Sequence, residues 1–193
     1  MQNLRQYGPQ AHPAESVVAS GSTRIDAAAI FEEYFHVVWR SLQRLGVPKS
    51  QVDDATQDVF LAVQTAAGRF EGRSELSTWI HGIVINTARN YRRRASAARQ
   101  RHEADPPELV SSSPNPERVA RAQQAAELLF TLLEQMDDNY REVFVCVELE
   151  QMAVTKFAES AAINLNTAYT RLRVARDTFD ALLRRHQNLG EHK

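Results

Sequence analysis

The sequence predicts an all-α protein made of two small helical domains joined by a flexible linker. Apolar residues recur every three or four positions in 25–98 and again in 117–186, the spacing of the buried side of a helix. Four prolines in 106–116 separate these segments and oppose both helix and sheet. The one β-branched and aromatic run, 143–147, lies inside a longer helical pattern, so we expect no strands.

The remaining segments follow from composition. Residues 1–24 contain Gly, Pro, Gln and Ser with little apolar periodicity, which predicts a disordered arm. The predicted domains are 25–98 and 117–186, with a linker at 99–116 and a tail at 187–193. The single cysteine, Cys146, sits in an apolar run and is expected to be a reduced core thiol. Without a membrane-length apolar run or a signal-peptide pattern, we expect a cytoplasmic protein with no direct membrane insertion.

The charges are separated along the chain. The total of 23 basic against 24 acidic residues argues at first against a nucleic-acid partner. By segment, however, residues 26–58 carry −3 (six acids, three bases) and 69–101 carry +6 (eight bases, two acids). Residues 127–159 carry −6 (eight acids, two bases) and 164–186 carry +3 (five bases, two acids). Arginine supplies nearly all the positive charge, and it suits phosphates and base edges.

The first acidic segment contains a two-faced helix. Its apolar residues, from Val52 to Val63, share one face, and the polar ones share the other. Neither a nearby histidine nor EF-hand spacing accompanies the acids, so a protein-binding face is favoured over acid–base chemistry or a metal. The predicted polar face consists of Asp53, Asp54, Gln57 and Asp58.

The first basic segment combines a loop with a helix. Small polar residues around Gly72 predict the loop, and Ser77 is a plausible N-cap. An apolar stripe from Ile80 to Tyr91 leaves an open face of amides and guanidiniums, the groups that contact base edges and phosphates. Phe70 and Trp79 could stack on an unpaired base or belong to the core. The predicted open face consists of Asn86, Arg89, Asn90 and Arg93.

The last basic segment has the layout of a helix-turn-helix. A short helix at 152–161 is followed by an interruption at 164–167 and a second helix at 168–176. The apolar positions of both helices face inward in this layout. Asn166, Tyr169, Thr170 and Arg173 then face outward, with Arg171 and Arg176 beside them. The turn has Ala162 where glycine is expected.

In this order the three motifs resemble bacterial RNA polymerase sigma factors of the extracytoplasmic-function (ECF) group, over about residues 27–186. The resemblance implies that the 53–60 helix binds the core polymerase, that 70–94 melts and reads the −10 element, and that the helix-turn-helix reads the −35 element. It implies a core-binding set of Asp54, Gln57, Asp58 and Phe60. The implied −10 set is Arg73, Ser74, Trp79, Asn86, Arg89, Asn90 and Arg93. The implied −35 set is Asn166, Thr167, Tyr169, Thr170, Arg171, Arg173 and Arg176.

The expected function is therefore a promoter-specificity subunit with core RNA polymerase and promoter DNA as partners. The resemblance further implies an anti-sigma factor, often membrane-bound. We expect no cofactor, metal, small-molecule substrate or catalysis, since the histidines are scattered and no phosphate-binding glycine loop is present. A stand-alone helix-turn-helix regulator is the main alternative, and a protein-binding adaptor is a weaker one. Asp137-Asp138, Ala162 and Ala168 depart from the family pattern, which bears on −35 preference and domain stability.

Overall fold

The computed structural model describes residues 27–70, 74–99 and 116–190, which form seven α-helices and no strand. The predicted all-α fold is confirmed. The predicted arm at 1–24 lies outside the described residues, as does the linker apart from its two ends, which belong to helices. The helices are α1 (Ala27–Arg44), α2 (Val52–Ala66), α3 (Leu76–Arg99), α4 (Pro116–Glu134), α5 (Asp138–Phe144), α6 (Val154–Ser160) and α7 (Leu165–Gly190).

Helices α1, α2 and α3 pack on one another and form the N-terminal bundle. Their buried residues follow the predicted helical periodicity, with Val38, Leu42, Val59 and Val84 at most 2% exposed. Helix α1 ends at a turn in which Gly46 has a φ of +87°. This left-handed conformation suits glycine and closes the helix, as the bond from Val47 N–H to Leu42 O shows.

Helices α4 to α7 form the C-terminal bundle, in which α7 contacts α4, α5 and α6. Asp137 caps α5, since its side chain accepts a hydrogen bond from Asn139 N–H at 2.9 Å. A π-helical turn, Val145–Leu149, continues α5. The rings of Phe144 and Phe179 stack with centroids 4.4 Å apart and join α5 to α7.

The two bundles are in contact. Helix α6 lies along the first half of α3, where the Ser160 hydroxyl donates to Thr78 O at 2.9 Å. Gly82 permits this close approach, because a Cβ at that position would lie 3.3 Å from Ser160 O. The second half of α3 faces α5 through ion pairs.

No helix in the described ranges is both long enough and apolar enough to cross a lipid bilayer.

Candidate nucleic-acid and protein interfaces

The solvent face of α2 carries the predicted acidic residues. Asp54 and Gln57 are exposed, and the opposite face of α2 is buried at Val52, Ala55 and Val59. Asp53 and Asp54 lie in the first turn of α2, where the helix dipole favours negative charge. The predicted division of α2 into an acidic and an apolar face is therefore present, and the acidic residues are available to a partner.

Two acids on this face also bind within the N-terminal bundle. Asp53 accepts a hydrogen bond from the Trp39 indole at 2.8 Å, and Asp58 accepts one from the Tyr91 hydroxyl at 2.8 Å. Burial, followed by the hydrogen bond to Asp58, raises the pKa of Tyr91 to about 12. These bonds fix two carboxylates in place and leave Asp54 and Gln57 as the more adaptable contacts.

An aromatic patch adjoins the acidic face. Phe31 is 46% exposed, and its ring centroid lies 5.2 Å from that of Phe35 and 4.8 Å from that of Phe60. Leu61, next to Phe60, is 59% exposed. Contiguous exposed apolar groups of this kind mark protein–protein contacts. Of these four apolar residues, the sequence analysis identified only Phe60. The signal that it missed was the spacing of Phe31 and Phe35, which lie one turn apart on α1.

The predicted open face of α3 is present in part. Asn86, Asn90 and Arg93 are exposed, and Arg93 donates to Asn90 Oδ1 at 3.1 Å. Trp79 is half-buried, with its ring centroid 5.2 Å from that of Phe70. Ser74 is half-buried in a bend, whereas Arg73 lies outside the described residues.

Arg89 corrects the prediction of an open face. It lies on the side of α3 that meets the C-terminal bundle, where its guanidinium is paired in two places with Glu142. The Nε–Oε2 distance is 2.9 Å and the Nη2–Oε1 distance is 2.5 Å. Periodicity did place Arg89 off the core stripe, but it could not show that another part of the chain covers it.

The helix pair α6–α7 differs from the predicted layout in the position of its turn. Helix α6 begins at Val154 rather than Met152, and α7 begins at Leu165, so the turn is at 161–164. The side chain of Asn164, which was expected inside the interruption, accepts a hydrogen bond from Asn166 N–H at 2.8 Å and caps α7. Ala162, in the turn, has a φ of +53°, the conformation for which glycine was expected.

The outward face of α7 agrees with the prediction. Ala168, Leu172 and Ala175 are buried. The guanidinium of Arg176 is paired with Glu148, with Nη2–Oε1 at 2.6 Å. Arg173 lies in solvent, and its contact with Asp177 is long, at 3.9 Å. The exposed residues are Asn166, Thr167, Tyr169, Thr170, Arg173 and Arg176, and Arg171 is half-buried.

Sequence reasoning missed an ion-pair network between the bundles. Its acidic members are Glu142 and Glu150, both almost fully buried, and the more exposed Asp138, which lies 3.3 Å from Arg92. Arg44 reaches Glu150 at 2.6 Å and Arg40 reaches it at 3.9 Å, while Arg92 reaches Glu142 at 3.6 Å. The available signal was the position of the two glutamates on either side of the apolar run at 143–147, where a buried charge needs a partner.

Two further buried side chains, those of Arg141 and Cys146, lie in the interior of the C-terminal bundle. Arg141 donates to the carbonyls of Leu133, Glu134 and Met136 and so caps the end of α4. Burial lowers the pKa of Arg141, against the effect of the Asp138 carboxylate. Burial, then Glu142 and Glu150, raises the pKa of Cys146, so this thiol is not a reactive thiolate. The described part of the chain holds no cluster of three or more histidine, cysteine or acidic residues suited to a metal.

Comparison with known proteins gives concordant matches. Residues 30–98 match the family model of sigma-70 region 2. The ECF RNA polymerase sigma-E factor of Escherichia coli K12 is 27% identical over 155 residues, which cover 76% of this chain and 81% of that protein. RNA polymerase sigma factor NccH of Alcaligenes xylosoxydans xylosoxydans is 27% identical over 154 residues, covering 77% of this chain and 81% of NccH.

Solved structures share the fold. CnrH in complex with the cytosolic domain of CnrY has a TM-score of 0.61 and 23% identity, covering 86% of this chain and 92% of CnrH. The sigma factor RpoE of Bartonella quintana, in complex with the anti-sigma factor NepR, has a TM-score of 0.66 and 17% identity, covering 81% of this chain and 96% of RpoE. The fold is therefore shared with these proteins, and the sequence matches agree with the resemblance carried by the motifs: this chain is similar to sigma factors of the ECF group, and its residues 30–98 are similar to sigma-70 region 2.

Proposed function

We propose that this chain is a promoter-specificity subunit, which binds core RNA polymerase and directs transcription initiation at −10 and −35 elements. The observation that carries the proposal is that one chain exposes an acidic face on α2 and a separate polar and basic face on α7. The sigma-70 region 2 match over 30–98 supports it for the N-terminal bundle. A stand-alone regulator would need only the α7 surface and would leave the α2 face without a use.

The polymerase-binding surface in this proposal is the polar face of α2. Asp54, Gln57 and Asp58 supply negative charge and hydrogen-bond acceptors, while Phe60 supplies apolar area at the edge. The adjoining rings of Phe31 and Phe35 support this assignment, because an apolar centre with a charged rim is typical of protein interfaces.

The −10 element is proposed to contact α3 and the loop before it. Asn86, Asn90 and Arg93 would hold the strand, and Trp79, beside Phe70, would stack on an unpaired base. Arg73 and Ser74 belong to the same proposed set through the loop. Arg89 joins the set only when Glu142 releases it.

The −35 element is proposed to contact α7, with α6 and α7 acting as a helix-turn-helix. Thr167, Tyr169, Thr170 and Arg173 would face the major groove, since residues near the start of a recognition helix read base edges. Asn166, Arg171 and Arg176 would position the helix on phosphates.

An anti-sigma factor is a further proposed partner. Two structural relatives are described in complex with one chain each, namely the cytosolic domain of CnrY and the anti-sigma factor NepR. The proposed place of action is the cytoplasm, at the nucleoid when active and at the inner membrane when such a partner is membrane-bound. As a regulatory subunit the chain would carry out no covalent chemistry and require no cofactor.

The polymerase assignment predicts the effect of reversing one charge. Asp54→Arg should weaken core-polymerase binding about tenfold, the effect of about 1.4 kcal/mol from placing like charges at an interface. Asp54 is the best choice because it is exposed, whereas Asp58 also bonds Tyr91. Fluorescence titration of labelled protein with core polymerase measures the affinity.

The matched control is Glu127→Arg, which makes the same charge change at an exposed position of α4. Promoter-dependent run-off transcription should fall for Asp54→Arg at limiting concentration and remain unchanged for the control. Equal polymerase affinity of the two variants would contradict the assignment of α2. A stand-alone regulator would bind DNA without polymerase and would be insensitive to Asp54→Arg.

A further inference from the structure

The start of α7 exposes two large apolar side chains. Leu165 is 39% exposed and Tyr169 is 53% exposed. They lie four residues apart, so their side chains are neighbours on one side of the helix. Among the residues that the structure describes, the other large apolar side chains with such exposure are Phe31 and Leu61 of the N-terminal bundle. Leu165 and Tyr169 therefore form a separate apolar pair.

The fold holds this pair in solvent. Ala168 and Leu172 are buried in the C-terminal bundle, which fixes the rotation of α7 about its own axis. Asn164 caps the helix by accepting a hydrogen bond from Asn166 N–H at 2.8 Å, so α7 is anchored at the turn where Leu165 lies. The two side chains thus remain exposed to water, although apolar area is stabilised by burial.

The side chains around the pair are typical of a DNA-binding surface. Arg173 lies four residues after Tyr169, so it continues the same row along the helix, and it is exposed. Asn166 and Thr170, which form the adjacent row, are exposed too. Guanidinium, amide and hydroxyl groups contact phosphates and base edges. The aromatic patch of the N-terminal bundle, by contrast, adjoins acidic residues.

The major groove of DNA offers an apolar group that fits this pair. Base edges there present hydrogen-bond donors and acceptors, and thymine adds a C5-methyl group. We propose that Leu165 and Tyr169 contact thymine methyl groups in the −35 element, which makes Leu165 a specificity-determining residue. The proposal rests on the −35 function of α7 and names the base that this part of the helix selects.

The spacing of the pair restricts where these thymines lie. Four residues of α-helix rise about 6 Å, which corresponds to about two steps of 3.4 Å between base pairs. The methyl groups contacted by Leu165 and Tyr169 should therefore lie within about two base pairs of each other, on either strand.

Deoxyuridine is the probe, because its base differs from thymine only in lacking the methyl group. The holoenzyme, which is core polymerase with the full chain, first selects its −35 sequence from promoter-length duplexes of random sequence. Each thymine of that element is then replaced singly by deoxyuridine, and competition binding measures the affinity of the holoenzyme. At one or two neighbouring positions the wild type should lose about fourfold, the equivalent of about 0.8 kcal/mol for one buried methyl group.

Substitutions in the protein connect this loss to the apolar pair. Leu165→Ala with Tyr169→Ala should bind the thymine and deoxyuridine duplexes with equal affinity. Tyr169→Phe retains the ring and should retain the preference for thymine. Arg173→Ala controls for general weakening, since it should lower the affinity for every duplex while the preference for the methyl group remains.

Two results would overturn the proposal. One is a wild-type affinity that does not change with deoxyuridine at any position of the selected element. The other is a double alanine variant that loses affinity for thymine and deoxyuridine duplexes by the same factor, because the pair would then contact the DNA backbone or another protein. Selection of no −35 sequence by the holoenzyme would instead contradict the proposed function of α7, and is distinguishable from selection without methyl dependence.

Discussion

Ala162 occupies the turn between α6 and α7 in a backbone conformation that disfavours side chains. Its φ is +53°, and its N–H donates to Glu159 O, which ends α6. The left-handed conformation costs an L-residue about 1–2 kcal/mol. The departure from the expected glycine is therefore a source of strain in the turn, although the turn still forms.

Ala162→Gly should raise the free energy of unfolding by about 0.5–1 kcal/mol, because relief of this strain exceeds the greater freedom of glycine in the unfolded chain. Urea unfolding followed by circular dichroism measures the change. Ala126→Gly is the control, since Ala126 is exposed within α4, where glycine lowers helix stability by about 0.5–1 kcal/mol. A loss of stability in Ala162→Gly as large as that in the control would contradict the strain.

Helical periodicity predicts which sides of the helices are buried. Val52, Ala55 and Val59 on α2 are buried, as are Ala168 and Leu172 on α7. The sequence pattern places the turn before α7 too late, because it marks Asn164 as a helix breaker, whereas the Asn164 side chain caps the helix. A polar residue that bonds backbone N–H groups can either break a helix or cap one, and the sequence alone does not tell these two roles apart.

Helix α5 shows how a departure from the family pattern is accommodated. The helix is preceded by Asp137 and begins at Asp138, the pair that departs from that pattern. The Asp137 carboxylate accepts from Asn139 N–H at 2.9 Å, and Asp138 adds negative charge to the first turn. Both effects favour the start of a helix, so this entry is stabilised by capping.

Asp137→Ala should lower the free energy of unfolding by about 1 kcal/mol, the usual effect of losing an N-cap. Thermal unfolding followed by circular dichroism checks it. Asp137→Asn is the informative companion, because an amide oxygen can accept the same bond and should retain most of the stability. Equal destabilisation by both substitutions would show that charge, rather than capping, is what Asp137 contributes.

The sequence predicts four segments of alternating charge along the chain, but it does not show how the second and the third meet. Arg89 and Glu142 are 53 residues apart in the chain. From the sequence alone, both side chains are expected to be exposed to solvent, since charged residues are seldom buried without partners. Helical periodicity identifies the core of each bundle, but the polar contact between bundles has no comparable repeat. The alternation of charge along the chain is present in the structure, and ion pairs between the bundles neutralise part of it.

Gly46 offers a test of the contact between the two bundles. A Cβ there would overlap the guanidinium of Arg141, which its three carbonyl acceptors hold in place. Gly46→Asn and Gly46→Ala should both increase the radius of gyration in small-angle X-ray scattering, because either Cβ separates the bundles. Gly68→Ala is the control, since nothing lies within 4 Å of its Cβ position.

The two Gly46 substitutions differ in backbone strain. With a φ of +87° at this position, asparagine tolerates the left-handed region better than alanine does. Gly46→Ala should therefore lose about 1 kcal/mol more in the free energy of unfolding than Gly46→Asn, while the two expand the molecule equally. Expansion by alanine alone would mean that strain at the end of α1, rather than contact with Arg141, separates the bundles. An unchanged radius in both would contradict the contact between the bundles at Gly46 and Arg141.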